Sequence, residues 1–391
     1  MSHQPHGESR TCFPVEKFAT VHLTNSGTDV SGLTREETQK VTETPEKPAN
    51  KTVPSQNAAA QSDPKIRSDE KPKRRAPARK RAAKPAKKAA AKKPAVRAKK
   101  PETAPAEANQ LVVARTPDEL RKITSAWREK GAKVALVPTM GALHAGHVAL
   151  VEKAKSVADR VIVSVFVNPT QFGPHEDLER YPRDEDSDFK KLEELGVNAV
   201  WAPTTDVMYP DGFTTRVAPG KAAEGLESDF RPHFFSGVAT VVAKLFNQVR
   251  PDFAVFGEKD YQQLIVVTQL ARDLDMGLEI VPVATVREDD GLALSSRNAY
   301  LNPADRGVAP NLNMVLKEVA EAAAHGASIA HLKAAAKVRL LTLGFEKVDY
   351  IEVVDAETLA PFEAEAGRPG RVLGAAWLGR TRLIDNVPAG P

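Results

Sequence analysis

The chain predicts an α/β fold: a Rossmann-like parallel sheet with helices on both faces, then a smaller C-terminal α+β domain, all preceded by a disordered N-terminal tail. Three observations predict it. Apolar strand-like runs alternate with helical patterns from about Leu111 to Leu274, the order of right-handed crossovers in a parallel sheet. From about Val286 the order changes to helices followed by short strands. Residues 1–108 hold few apolar side chains larger than alanine, too few for burial to offset the entropy of ordering. The division expected is a basic Lys/Ala/Pro-rich extension over 1–108, a Rossmann-like domain over 109–285 and a lid-like domain over 286–391.

Charge follows the same division. Lys71 to Lys100 carries 15 Lys or Arg and no Asp or Glu. Residues 1–70 carry 8 basic and 10 acidic side chains, so a whole-chain charge of +4 leaves residues 101–391 near −9. Two readings of the basic block stand side by side: non-specific attraction to nucleic acid or another polyanion, and a solvated tail with no dedicated partner. The block interleaves no aromatic residue that would stack on bases. One cysteine, Cys12, excludes an intrachain disulfide and fits a reducing compartment. No apolar run reaches the roughly 20 residues of a membrane span, and the N-terminus lacks the order of a secretory signal, so a cytoplasmic location is expected.

In chain order, Thr116-Pro-Asp-Glu119 has the threonine cap, first-turn proline and glutamate three residues on that start a helix, and Gly131 ends it. Strands are expected at Lys133–Val137, Arg160–Asn168, Ala199–Ala202 and Asp252–Phe256. Helices are expected after Gly141, at Asp184–Leu195, Gly237–Val249 and Tyr261–Leu274. Asn302-Pro-Ala-Asp305 opens a further helix, and Leu316–Leu343 is helical with a break at His325-Gly326. Short strands are expected at Val348–Val354, Arg371–Trp377 and Thr381–Leu383.

Four polar stretches fall at the ends of these elements, where ligands of open parallel sheets sit. Val134–His147, VALVPTMGALHAGH, reads as strand, turn and helix, with His144 and His147 at the helix start. Such a start favours an anion, and glycine lets a phosphate approach the backbone. Val167–Gly173 offers the amides of Asn168 and Gln171. Phe256–Gln263, FGEKDYQQ, offers Lys259 as a mobile charge for phosphate, with Asp260 and Gln263 on the first helical turn. Leu292–Asn298, LALSSRN, combines adjacent hydroxyls with a guanidinium. Singly, each stretch also reads as a helix cap, a turn or a polar loop.

Together, PTMGALHAGH, FVNPTQFG, FGEKDYQQ and LALSSRN, in that order and on those elements, resemble the pantoate–β-alanine ligases, members of the HIGH-motif nucleotidylyltransferase superfamily. YPRD (Tyr181 to Asp184), RPHFFSG (Arg231 to Gly237) and LGRTRLIDN (Leu378 to Asn386) extend the resemblance over about Leu111 to Asn386. It implies ATP-dependent condensation of pantoate with β-alanine through a pantoyl adenylate, releasing pyrophosphate and AMP, with magnesium and a homodimer as family expectations.

Residue by residue, the resemblance assigns the ATP site to Met140, Gly141, Ala142, Leu143, His144, Ala145, Gly146, His147, Gly257, Glu258, Lys259, Asp260, Val286, Leu294, Ser295, Ser296 and Arg297. His147 takes a proton-donor role, and His144, Lys259 and Arg297 act on the phosphates. Gln171, Gln263 and Asn168 are assigned to substrate, and Asp188 to the metal, with Ser187 in the neighbouring acidic place. Leu294 stands where the family has methionine, an apolar exchange, and Ala145 replaces a commonly polar residue. Two alternatives remain: another HIGH-motif nucleotidylyltransferase, and a polyanion-binding protein with an inactive enzyme-like domain.

Overall fold

The computed structural model describes residues 111–390 apart from 175, 364 and 365. The expected disordered extension over 1–108, with Cys12 and the Lys71–Lys100 block, lies outside the described residues.

The first lobe runs β1 (Val112–Ala114), α1 (Pro117–Glu129), β2 (Val134–Thr139), α2 (Ala145–Val157), β3 (Arg160–Val165), α3 (Glu185–Glu194), β4 (Ala199–Trp201), α4 (Thr205–Met208), α5 (Glu227–Phe230), α6 (Phe234–Val249), β5 (Phe253–Gly257), α7 (Tyr261–Asp273) and β6 (Glu279–Val283). Single 3-10 turns carry Pro169–Gln171, Glu258–Asp260 and Ser296–Tyr300. The expected cap of α1 forms in full. Thr116 accepts from the Glu119 amide, while the Glu119 carboxylate reaches back to the Thr116 amide.

All strand pairs in this lobe are parallel, in the order β1-β4-β3-β2-β5-β6. Both faces are covered, and the two-residue period of β2 shows how. Val134 and Leu136 enter the core shared with α1, α6 and α7, whereas Ala135 and Val137 enter the one shared with α2 and α3. Leu136 is fully buried, a stabilisation of roughly 1.5–3 kcal/mol on transfer grounds.

Two strands escaped the sequence reading. Both are edges: β1 has three residues, and β6 holds Pro282, which an edge strand tolerates because its N–H side needs no partner.

The second lobe comprises α8 (Pro303–Val308), α9 (Asn311–Ala324), α10 (Ile329–Thr342), β7 (Lys347–Asp355), β8 (Gly370–Leu378) and β9 (Thr381–Ala389). Its three strands are antiparallel, with α9 and α10 packed on them around Leu312, Leu316, Leu340 and Val372. α9 starts five residues earlier than its alanine-rich run suggests, and β9 runs six residues further than expected. No helix among the described residues is long and apolar enough to cross a membrane.

Candidate active site

Following the sheet order outward from β2, β3 and β4 lie on one side and β5 and β6 on the other. The crevice beyond the carboxyl ends at such a reversal is where ligands of doubly wound sheets lie. Here it opens into a cavity of about 850 Å³ lined by both lobes, within the range that holds a small molecule.

The loop after β2 turns back through Gly141 (φ +80°) and Ala142 (φ +52°). A left-handed alanine persists only when its surroundings over-determine it. Asp188 on α3 does so: its Oδ2 accepts the Ala142 amide at 2.7 Å and its Oδ1 the Leu143 amide at 2.8 Å. A Cβ at Gly141 would lie 3.0 Å from Asp188 Oδ2, so the turn needs glycine there. Lys191, one turn along α3, donates to the Leu143 carbonyl at 3.0 Å. Asp188 therefore does not fit the magnesium-ligand role expected of it. It is 2% exposed, each oxygen already accepts a backbone N–H, and no group of three or more metal-binding side chains exists among the described residues.

That loop delivers the histidines. His144 caps α2, its Nδ1 accepting the Gly146 amide at 3.1 Å, while His147 Nδ1 accepts the His144 amide at 3.2 Å. Because each Nδ1 receives a backbone N–H, the neutral ring carries its proton on Nε2. A Cβ at Gly146 would fall 2.8 Å from His144 Cε1, so this ring position needs glycine beside it. The rings stand 4.1 Å apart, and both line the cavity. Burial, then the neighbouring His144 ring, pushes the His147 imidazole down to about 3. Burial and the Lys259 ammonium also lower His144. Near neutral pH both rings are uncharged Nε2–H donors.

Gln171 follows β3. Asn168, 1% exposed, donates from Nδ2 to Gln171 Oε1 (3.0 Å) and the Gly237 carbonyl (3.3 Å), and its Oδ1 accepts from Thr170 and Tyr209. Expected as a substrate or phosphate ligand, Asn168 has its polar atoms engaged by protein. It holds Gln171, whose Nε2 lies 3.1 Å from Met140 Sδ at the cavity wall. Gly237 lets α6 approach this turn, since a Cβ there would meet the Thr170 carbonyl oxygen at 2.4 Å. On α7, Gln263 and Gln262 both border the cavity, Gln263 half-buried and Gln262 buried with its amide bonded to the backbone of Ala222, Glu224, Gly225 and Glu227.

Lys259 lines the cavity from the turn after β5, its Nζ 3.6 Å from Asp260 Oδ2. Beyond β6, the Leu294 amide bonds the Val286 carbonyl and an isolated bridge joins Arg287 to Ala293, bringing Val286, Leu294 and Ser295 to the same wall. Ser295 Oγ accepts the Arg297 amide, and Ser296 Oγ lies 3.2 Å from Tyr181 OH.

Arg297, expected on phosphate, donates its fork to Asp177 at 3.0 and 2.9 Å. Burial works against that charge, but the hydrogen bond and negative charge of Asp177, with the nearby Tyr181 and Asp260, together outweigh it and raise the guanidinium pKa. Sequence reasoning gave Asp177 and Tyr181 no role, and their bonds span 120 and 115 residues, which no local pattern reports. Of the expected nucleotide residues, Met140, His144, Gly146, His147, Gly257, Lys259, Asp260, Val286, Leu294, Ser295, Ser296 and Arg297 line the cavity. Gly141, Ala142, Leu143 and Ala145 form the loop behind it, and Glu258 turns to Arg371.

A parallel sheet with a strand-order reversal, a glycine-bearing loop presenting two imidazoles at a helix start, and a lysine and paired hydroxyls opposite define a nucleotide-handling α/β enzyme of the HIGH type. Residues 112–388 match the family model described as Pantoate-beta-alanine ligase, so the chain belongs to that family. The pantothenate synthetase of Bradyrhizobium sp. is 55% identical over 276 residues, which span 70% of this chain and 97% of that one. That of Mesorhizobium japonicum is 54% identical, over 68% and 94%. The crystal structure of pantothenate synthetase from Thermus thermophilus aligns with a TM-score of 0.66 at 46% identity, covering 72% of this chain and all of that one. A pantoate–β-alanine ligase structure from Francisella tularensis, described as complexed with Beta-gamma ATP and β-alanine, aligns with a TM-score of 0.61 at 34% identity, covering 71% of this chain and 97% of that one.

Proposed function

We propose that the protein condenses pantoate with β-alanine at the expense of ATP, and that the cavity between the lobes is where it does so. The observation that carries this reading is the placement of two neutral Nε2–H imidazoles and the Lys259 ammonium on one cavity, with the Gln171 and Gln263 amides on its walls. A pantoate carboxylate oxygen attacks the α-phosphorus, the bond to the β-phosphate oxygen breaks, and pyrophosphate leaves. The β-alanine amine then attacks the acyl carbon, loses a proton, and AMP departs.

Two anions meet in the first step. Lys259 offsets their repulsion, and the imidazoles of His144 and His147 donate to charge growing on the phosphoryl oxygens. Ser295 and Ser296 add hydroxyls. Arg297 joins them by exchanging Asp177 for phosphate oxygens. Gln171, aimed by Asn168, and Gln263 hold pantoate. In this reading the Rossmann-like domain over 109–285 supplies the imidazoles and Lys259, and the lid-like domain from 286 adds Val286, Leu294, Ser295, Ser296 and Arg297 to the ATP site. Magnesium would enter with the nucleotide's phosphates, which with water would supply most of its oxygen ligands. A cytoplasmic homodimer completes the proposal. For the Lys71–Lys100 block, binding of duplex DNA that weakens steeply with salt and disappears on its deletion is the expected result.

The full chain is tested with ATP and radiolabelled pantoate, without and then with β-alanine. Pyrophosphate released once per enzyme, followed by turnover when β-alanine is added, is the expected result. Equal turnover with a nucleotide or phosphopantetheine acceptor in place of pantoate would overturn the reading.

A further inference from the structure

Two loops must keep a fixed distance for this cavity to hold one triphosphate: the Glu258–Asp260 turn with Lys259, and the 286–297 hairpin with Ser295 and Arg297. They leave different strands, β5 and β6, and no backbone bond joins them among the described residues. Both are instead tied to two adjacent residues of β9 in the other lobe. Asn386 donates from Nδ2 to the carbonyls of Glu258 and Lys259, each at 2.9 Å. Asp385 receives the Arg287 fork at 2.7 and 2.9 Å, and the Asn386 carbonyl takes a further Arg287 bond at 3.2 Å.

Successive side chains of a strand point to opposite faces, so a dipeptide is the shortest unit that can grip two loops in different directions. The grip is itself over-determined. Asn386 Oδ1 accepts from Arg371 Nε at 2.7 Å, which fixes the amide with its donors toward the turn, and Asn313 bonds Asp385 Oδ2 at 3.0 Å. Asp385 and Asn386 are 4% and 2% exposed. Neither has a polar atom left over for a ligand, which separates them from the groups that would touch substrate.

We propose that Asp385 and Asn386 are positioning residues that register the lysine-bearing turn against the serine–arginine loop, so the second lobe sets the geometry of the nucleotide site from behind. The inference rests on the function proposed above. A long lysine stem reaches a phosphate only as accurately as its backbone is placed, and the Asn386 amide places it through two carbonyls at once.

Asn386→Asp keeps the volume and the Arg371 bond but sets an oxygen against two carbonyls; Asn386→Ala removes the donors without adding charge. In the full chain, each is expected to lower kcat/KM for ATP roughly tenfold to a hundredfold, the loss of two hydrogen bonds. The KM for ATP should rise while those for pantoate and β-alanine stay within about twofold, since Gln171 and Gln263 lie on other elements. Equal losses for all three substrates, tracking a fall in the folded fraction, would reduce the pair to scaffold and overturn the proposal, as would an unchanged KM for ATP. If Asn386→Asp fails to fold, Asn386→Ala carries the test. Calorimetric titration with ATP alone separates the two layers: it ranks the variants even if the wild-type chain shows no pantoate-dependent turnover.

Discussion

His147 and Asp188 serve one loop in opposite ways, one facing the cavity and one holding the loop from behind. With its imidazole held near 3 against an ordinary 6.5, His147 stays neutral as pH falls through the range where an unfolded histidine charges. The unfolded chain therefore binds the extra proton first, and this residue's stabilisation, full above 6.5, is lost between 6.5 and about 3. Nitrogen-resolved NMR should find its ring as the Nε2–H tautomer, unprotonated down to about pH 4; a midpoint near 6.5 would contradict the burial argument. His147→Ala should cost adenylation about 10²–10³-fold, the range for losing one donor to developing charge, with KM little changed. Asp188→Asn replaces one acceptor by a donor facing an N–H, a cost of about 1–3 kcal/mol read as a lower Tm. An unchanged Tm with a raised magnesium requirement would restore the metal-ligand role. Thr116 and its capping box were legible from four letters, because their bonds are local. Asp188 was legible as a residue but not as a brace, because the amide it holds lies 46 residues away, and the Asp177 partner of Arg297, 120 residues away, left no local pattern; Asn168 bonds Gln171 and Thr170 beside it, but its bond to the Gly237 carbonyl spans 69 residues.

Among elements, the strong apolar runs of β2, β3 and β5 declared themselves because both faces of those strands are buried. β6 did not, since at the sheet edge only Val281 of its five residues is buried and Pro282 interrupts its pattern. Helix α7 shows where periodicity stops: Gln262 and Gln263 both border the cavity, and what separates them is that the Gln262 amide is engaged by the backbone of Ala222, Glu224, Gly225 and Glu227. Gln263→Ala should raise the KM for pantoate with Tm unchanged, while Gln262→Ala should lower Tm and leave that KM in place; steady-state kinetics and thermal unfolding of both variants decide it. Gly237→Ala sets a methyl against the Thr170 backbone, which a side-chain shift cannot relieve. Loss of both Tm and pantoate affinity is expected, because the displaced turn carries Gln171. A Tm equal to wild type would refute that close approach.

For the whole molecule, the order β1-β4-β3-β2-β5-β6 places the crevice, and the antiparallel lobe closes its far wall. Alternating strands and helices announced the first lobe; that the second contacts the Lys259 turn through Asn386 is a tertiary fact that the sequence withheld. Since residues 112–388 span the family match, deletion of 1–108 should leave kcat/KM for all three substrates within about twofold of the full chain. The central claim is that one cavity activates pantoate with ATP. Its most direct measurement is AMP formation by the full chain supplied with ATP and β-alanine, with and without pantoate. The account predicts AMP only when pantoate is present; AMP formed at the same rate without it would contradict the account.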